Sequence, residues 1–261
     1  MNIKNLIVEG LAMEPKDRII VALDVDNLDK AKSLVEILAP HVGCFKIGLE
    51  LITAVGANQV VKFVHSFGGL VFYDGKFDDI PNTVGSASMV VAGLGVKMFN
   101  VHASAGIEAM MAAVANKGNS IVLAVTVLTA IEENNAHLIF GGPSKAKVLQ
   151  FSRDAKLAGC DGVICSPQEL ELLGKQKELG NFMKITPGVR PEWASANDQK
   201  RIMTPGEAII AGATALVIGR PITKPPREIG GPVEAAKRIC EEIYLAQLKT
   251  EVLQGGQASS M

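Results

Sequence analysis

Three carboxylates and one ammonium lie within the six residues from Asp74 to Asp79, in the stretch Tyr-Asp-Gly-Lys-Phe-Asp-Asp-Ile-Pro-Asn-Thr that runs from Tyr73 to Thr83. An ammonium flanked by carboxylates stays cationic, and it can deliver a proton or meet negative charge as that charge develops. The apolar run before it, from Gly69 to Tyr73, reads as a buried strand whose last residues are Asp74 to Lys76. Side chains alternate along a strand, so Asp74 and Lys76 are expected on one face, with Gly75 leaving the other face without bulk. Asp79 falls where the chain turns into a helix. There Pro81 suits an early helical position and Asn82 and Thr83 supply polar groups. Asp78 is expected to be exposed. The competing reading is a solvated loop with an incidental ion pair. Buried charge is costly unless paired, and this favours deliberate placement at the end of an apolar strand.

The elements that must position these residues follow from hydrophobic periodicity. From Arg18 onward, strand-like apolar runs at 19–24, 44–49, 70–76, 97–103, 120–128, 162–167, 183–189 and 215–222 alternate with helical segments. Leu28, Ala31, Leu34, Val35 and Leu38 recur at helical spacing behind the capping residues Asp26 and Asn27. Further helices are expected at 51–66, 81–94, 105–117, 144–158, 168–175, 204–211 and 232–249. Eight such units favour a closed (β/α)8 barrel over an open sheet. The whole chain, 1–261, is expected as one domain, with a short N-terminal extension over 1–16 that forms an extra helix before Pro15 and a frayed tail from about 255 to 261.

A barrel of this kind builds its site at the C-terminal ends of the strands. Polar residues recur at those positions: Asp24, Lys46, Asp74 with Lys76, His102, Thr129, Ser166, Arg190 and Arg220. One such residue is more often a cap or a turn former, but a set in register is hard to explain that way. His102 is left without a role, since a histidine after a strand is often structural.

Composition limits the remaining possibilities. With 26 basic and 27 acidic residues the formal net charge is -1, which argues against a nucleic-acid surface or a polybasic membrane anchor. The 48% hydrophobic content and positive mean hydropathy can fill a large core. Cys44, Cys160, Cys165 and Cys240 form no Cys-x-x-Cys pair and no metal-ligand spacing, so buried reduced thiols and no bound metal are expected. Glu9 and Glu14 interrupt the apolar core that a signal peptide would need, and no run approaches the ~20 apolar residues of a membrane span. A cytoplasmic location is expected.

Two late loops suit an anion. Ile-Thr-Pro-Gly-Val-Arg ends at Arg190, and Val-Ile-Gly-Arg carries Gly219 and Arg220. Backbone N–H groups and a forked guanidinium after strands seven and eight are a common barrel phosphate site. No Gly-x-x-x-x-Gly-Lys-[Ser/Thr] loop and no convincing Gly-x-Gly-x-x-Gly after a strand is present, which disfavours nucleoside triphosphates and dinucleotides. Between the two loops, residues 191–201 form a polar insertion suited to a lid.

Asp-x-Lys-x-x-Asp-Ile-Pro-x-Thr, present as Asp74, Lys76, Asp79, Ile80, Pro81 and Thr83, resembles the signature of the orotidine 5'-phosphate decarboxylases. Asp24, Lys46, Thr129, Arg190, Gln199, Gly219 and Arg220 match the family's nucleotide-binding motifs, and the similarity runs from about Arg18 to Pro225. The resemblance implies a barrel that converts orotidine monophosphate to uridine monophosphate and carbon dioxide without a cofactor. It also implies roles for single residues. Lys76 would be the proton donor, Asp74, Asp79 and Lys46 its charged network, Asp24 and Lys46 the ribose contacts, and Thr129 the pyrimidine contact. Arg190, Gln199, Gly219 and Arg220 would hold or cover phosphate, and Ile80 and Thr83 would join the substrate site. It further implies a homodimer in which Asp79 enters the partner's site. Three positions depart from the pattern: Gly75 where a larger residue is usual, Ala105 where glycine is usual, and Ala130 where serine is common. The rivals are a magnesium-dependent sugar-phosphate decarboxylase of the same superfamily, which shares Asp-x-Lys-x-x-Asp, and a silent barrel that only binds uridine nucleotides. Ile80-Pro81-Asn82-Thr83 weighs against the first, and intact Lys76, Asp74 and Asp79 weigh against the second.

Overall fold

A computed structural model describes residues 13–194 and 203–258, with backbone alone for 251–258. All eight expected strands form: β1 (Ile19–Ala22), β2 (Cys44–Gly48), β3 (Val71–Phe77), β4 (Met98–His102), β5 (Ile121–Val125), β6 (Gly162–Ile164), β7 (Met183–Pro187) and β8 (Ala215–Ile218). Each pairs in parallel with the next and β8 pairs with β1, so the sheet closes into a (β/α)8 barrel. Alternation along the regular part of each strand feeds two cores. Ile20, Phe72, Met98, Leu123, Ile185 and Val217 fill the barrel, while Val21, Phe45, Val71, Phe99, Val163 and Leu216 pack outward among apolar side chains of the surrounding helices.

Several boundaries differ from those expected, each for a local reason. The strand expected over 215–222 stops at Ile218, and Arg220–Thr223 begins a short helix. Pro221 cannot donate to a ladder but fits the first turn of a helix. The helix expected over 51–66 is two, Leu49–Val55 and Ala57–Ser66, broken at Gly56. The φ of 88° at Gly56 is open to a glycine and strained for other residues. Glu133–Phe140 is helical although its polar sequence shows no clear period.

The helix expected over 232–249 runs from Pro232 to Ala258, so residues 255–258 continue it where a frayed tail was expected. Gly255 and Gly256 each weaken a helix by about 1 kcal/mol without removing a backbone hydrogen bond. The expected helix before Pro15 lies outside the described residues. A 3-10 turn, Pro15–Arg18, leads into β1. There Arg18 Nη1 donates to the Thr214 carbonyl at 2.9 Å, fastening the start of the barrel to its end. No helix among the described residues is long and apolar enough to cross a membrane.

Candidate active site

The charged stretch sits at the C-terminal mouth, where β3 departs from regular pairing. Tyr73 stands opposite Phe99 and Phe77 opposite Val101, so Asp74, Gly75 and Lys76 together oppose only Asn100. This bulge corrects the expectation of simple alternation: Asp74 and Lys76 reach one cavity through an irregular backbone. Lys76 has φ of 49° and is the one non-glycine residue with positive φ among the described residues. That conformation costs about 1–3 kcal/mol and persists only where the surroundings enforce it. Here the Lys76 N–H donates to Asn100 Oδ1 at 2.7 Å. The face opposite Gly75 is not empty, because a methyl group there would run into the Tyr73 ring. Tyr73 in turn continues into a row of rings, 5.8 Å from Phe77, which lies 6.0 Å from Phe99.

Asp74 is the centre of the network. Its Oδ1 accepts from Lys76 Nζ at 2.6 Å and from Asn100 Nδ2 at 2.7 Å, while Oδ2 lies 3.1 Å from Lys46 Nζ. Lys46 Nζ also reaches Asp24 Oδ1 at 3.0 Å. The side chain of Asp74 is 9% exposed, whereas that of Asp24 is 60% exposed, so the chain of charges runs from the interior out to solvent. Burial alone pushes the Asp74 carboxyl up, but Lys46, Lys76 and the Asn100 amide overcome it and hold the group below the usual carboxylate range. Burial likewise pushes Lys46 down, and Asp74 and Asp24 more than reverse it. Burial holds His102 below the usual imidazole range, against an opposing pull from Asp78.

Asp24, Lys46, Asp74 and Lys76 line a cavity of about 300 Å³ whose remaining lining is mostly apolar. Thr129 and Gly219 also contribute to it. Arg220 lines an adjoining hollow that shares Asp24 and Gly219 with the first. Arg190 lies just past β7, half-buried, with its backbone N–H on the Met203 carbonyl. Among the described residues neither guanidinium has an ion pair or a side-chain hydrogen bond.

Asp79, Ile80 and Thr83 are exposed at the rim and do not join the cavity of their own chain. The Asp79 carboxylate accepts from the Ile80 N–H at 2.7 Å and stands apart from the Asp74–Lys76–Lys46 network of its own chain. Asp78 is exposed, as expected. Gln199 and most of the 191–201 insertion lie outside the described residues. Asn100 was missed in the sequence, although a lone amide in the apolar run Lys-Met-Phe-Asn-Val is a signal in itself, because a buried amide must find partners.

The fold and this charged wall define a barrel enzyme that works at the C-terminal ends of its strands. Comparison with known proteins narrows the class. The model of the Orotidine 5'-phosphate decarboxylase / HUMPS family matches residues 17–239, and the chain belongs to that family. A Heliobacterium modesticaldum protein named orotidine 5'-phosphate decarboxylase is 47% identical over 243 residues, covering 88% of this chain and 97% of its own. A Geotalea daltonii protein of the same name is 46% identical over 239 residues, with the same coverage. The crystal structure of orotidine 5'-phosphate decarboxylase from Lactobacillus acidophilus superposes with a TM-score of 0.73 at 33% identity, over 86% of this chain and 98% of that one.

Proposed function

We propose that the protein decarboxylates orotidine 5'-phosphate to uridine 5'-phosphate and carbon dioxide, the last step of de novo pyrimidine nucleotide synthesis. One observation carries the proposal: the Lys76 ammonium, 2.6 Å from a buried Asp74 that Lys46 and Asn100 brace, in the polar wall of a cavity at the barrel mouth. Decarboxylation breaks a carbon–carbon bond and leaves its electron pair on the ring carbon. Charge thus moves from the departing carboxylate to an atom that the ammonium approaches, and the attraction grows towards the transition state. Lys76 Nζ then delivers its proton to that carbon. Asp74 and Lys46 hold the ammonium in place before reaction, so little reorganisation is needed during it.

The rest of the nucleotide follows the same wall. Asp24 and Lys46 take the ribose hydroxyls and Thr129 faces the pyrimidine. Arg190, Gln199, Gly219 and Arg220 hold or cover the phosphate, a role supported by the two guanidinium groups that have no acidic partner among the described residues. The protein acts as a homodimer in which Asp79, with Ile80 and Thr83, completes the partner's site, and their exposure at the rim supports this. A cytoplasmic location fits four unpaired cysteines, three of them buried.

Loss of orotidine 5'-phosphate, followed by absorbance with and without a chelator, tests the proposal. Uridine 5'-phosphate should form at the same rate in both. Persistence of the substrate overturns the activity, and arrest by the chelator points to the magnesium-dependent sugar-phosphate chemistry of the superfamily.

A further inference from the structure

We infer that Asn100 is a positioning residue for Lys76: one buried amide fixes both the carboxylate that pairs with the ammonium and the backbone that aims it. The inference rests on the activity proposed above. Asn100 is fully buried, and its inward-facing neighbours on β4 and β3, Met98 and Phe72, are apolar. An amide there costs free energy unless both its ends are bonded. Both ends are, and by groups that leave it a single orientation. The Lys76 N–H can only donate and the Asp74 carboxylate can only accept, so the oxygen must face Lys76 and the NH₂ must face Asp74.

Two consequences follow at the reacting group. Asn100 Nδ2 and Lys76 Nζ share Asp74 Oδ1, which leaves Oδ2 for Lys46, so the amide sets the carboxylate plane between the two ammonium groups. Asn100 Oδ1 also supplies the partner that holds Lys76 at a φ of 49°. Without that bond the residue would relax to an ordinary φ and its Cβ would turn away from its present direction. Asn100 does not line the cavity, so it acts on turnover through its partners and not by touching the nucleotide.

The test is kinetic and spectroscopic together. In Asn100→Ala, kcat should fall about tenfold to a hundredfold through misplacement of the ammonium. Affinity for uridine 5'-phosphate should stay within about twofold of the parent, as expected where only transition-state interactions are lost. The Lys76 backbone amide, protected from hydrogen exchange in the parent, should exchange freely in the folded variant. Asn100→Asp keeps the volume and supplies a second test, and it also carries the experiment if the alanine variant does not fold. Protonated, the introduced carboxyl donates to Asp74; ionised, it repels it. The ratio of its kcat to that of the parent should therefore rise as pH falls, a dependence that a merely structural role does not produce.

The inference is overturned if kcat stays within about twofold of the parent, or falls in step with nucleotide affinity. It is equally overturned if Lys76 stays protected in the folded variant, or if the Asn100→Asp ratio does not change with pH. If the parent itself fails to turn over orotidine 5'-phosphate, the activity proposal alone falls. Exchange at Lys76 then decides whether Asn100 holds it.

Discussion

Buried lysine–aspartate contacts stand at both ends of this barrel, and they differ in what surrounds them. At the N-terminal end, Asp161 Oδ2 lies 2.5 Å from Lys117 Nζ and accepts the Val122 N–H at 2.9 Å, tying the approach to β5 to the start of β6. At the C-terminal end, Asp74 faces Lys46, Lys76 and Asn100, and both lysines line an open cavity. The Lys76 side chain is 30% exposed and that of Lys117 is 16% exposed. Burial and pairing alone therefore do not mark a site. What sets Lys76 apart is that it is paired with a buried carboxylate and still lines a cavity.

Exchanging each lysine separates the two roles. Lys76→Ala should lower kcat by at least about a thousandfold, since on the proposed mechanism it removes both the proton donor and the charge that meets the carbanion. Its thermal midpoint and its affinity for uridine 5'-phosphate should change little. Turnover near the parent rate would erase the distinction drawn here. Lys117→Ala should do the reverse, destabilising the fold by ~3 kcal/mol in urea titrations because it breaks a largely buried ion pair, while kcat of the folded protein holds.

Arg220→Ala probes the proposed phosphate site. It should weaken uridine 5'-phosphate binding by about 2 kcal/mol, roughly thirtyfold, and leave uridine almost unaffected, as calorimetry with both ligands would show. Equal losses for both would remove Arg220 from the phosphate site. The smallest effect asks whether a second chain completes the open centre. Inactive Lys76→Ala and Asp79→Ala chains, allowed to exchange subunits, should recover roughly a quarter of the parent activity, because each hybrid dimer holds one site free of both changes. Exchange confirmed by mass with no activity returned would confine Asp79 to its own chain.

Much of the architecture could be read from alternation alone, since apolar runs at strand length between helical segments have few other solutions. The charged residues lining the cavity were legible for the same reason: Asp24, Asp74 and Lys76 close apolar runs, and Lys46 interrupts one within its strand. What escaped was tertiary. The bulge at Asp74–Lys76 leaves no trace in hydrophobic pattern, because it is enforced by Asn100, 26 residues from Asp74 in the chain. Gly56 splits a helix whose period continues across it, and Glu133–Phe140 folds without a clear period. The side on which Asp79 would act was not legible from spacing alone. Closeness in sequence says nothing of direction once the strand has ended.

The fit between Tyr73 and Gly75 constrains the order in which this strand can change. A side chain cannot arrive at position 75 while the Tyr73 ring fills that space. The ring cannot swing aside freely either, because Phe77 and Phe99 continue the row beyond it. A bulky residue at 75 is therefore accommodated more readily when residue 73 is smaller, by a double change that leaves the strand underfilled at its first step instead of overfilled. Underfilling costs a few kcal/mol, whereas a collision at position 75 would disturb the bulge that aims the Lys76 side chain. The two positions are thus coupled by shape, and the residue that 75 can carry is set by the size of the one at 73.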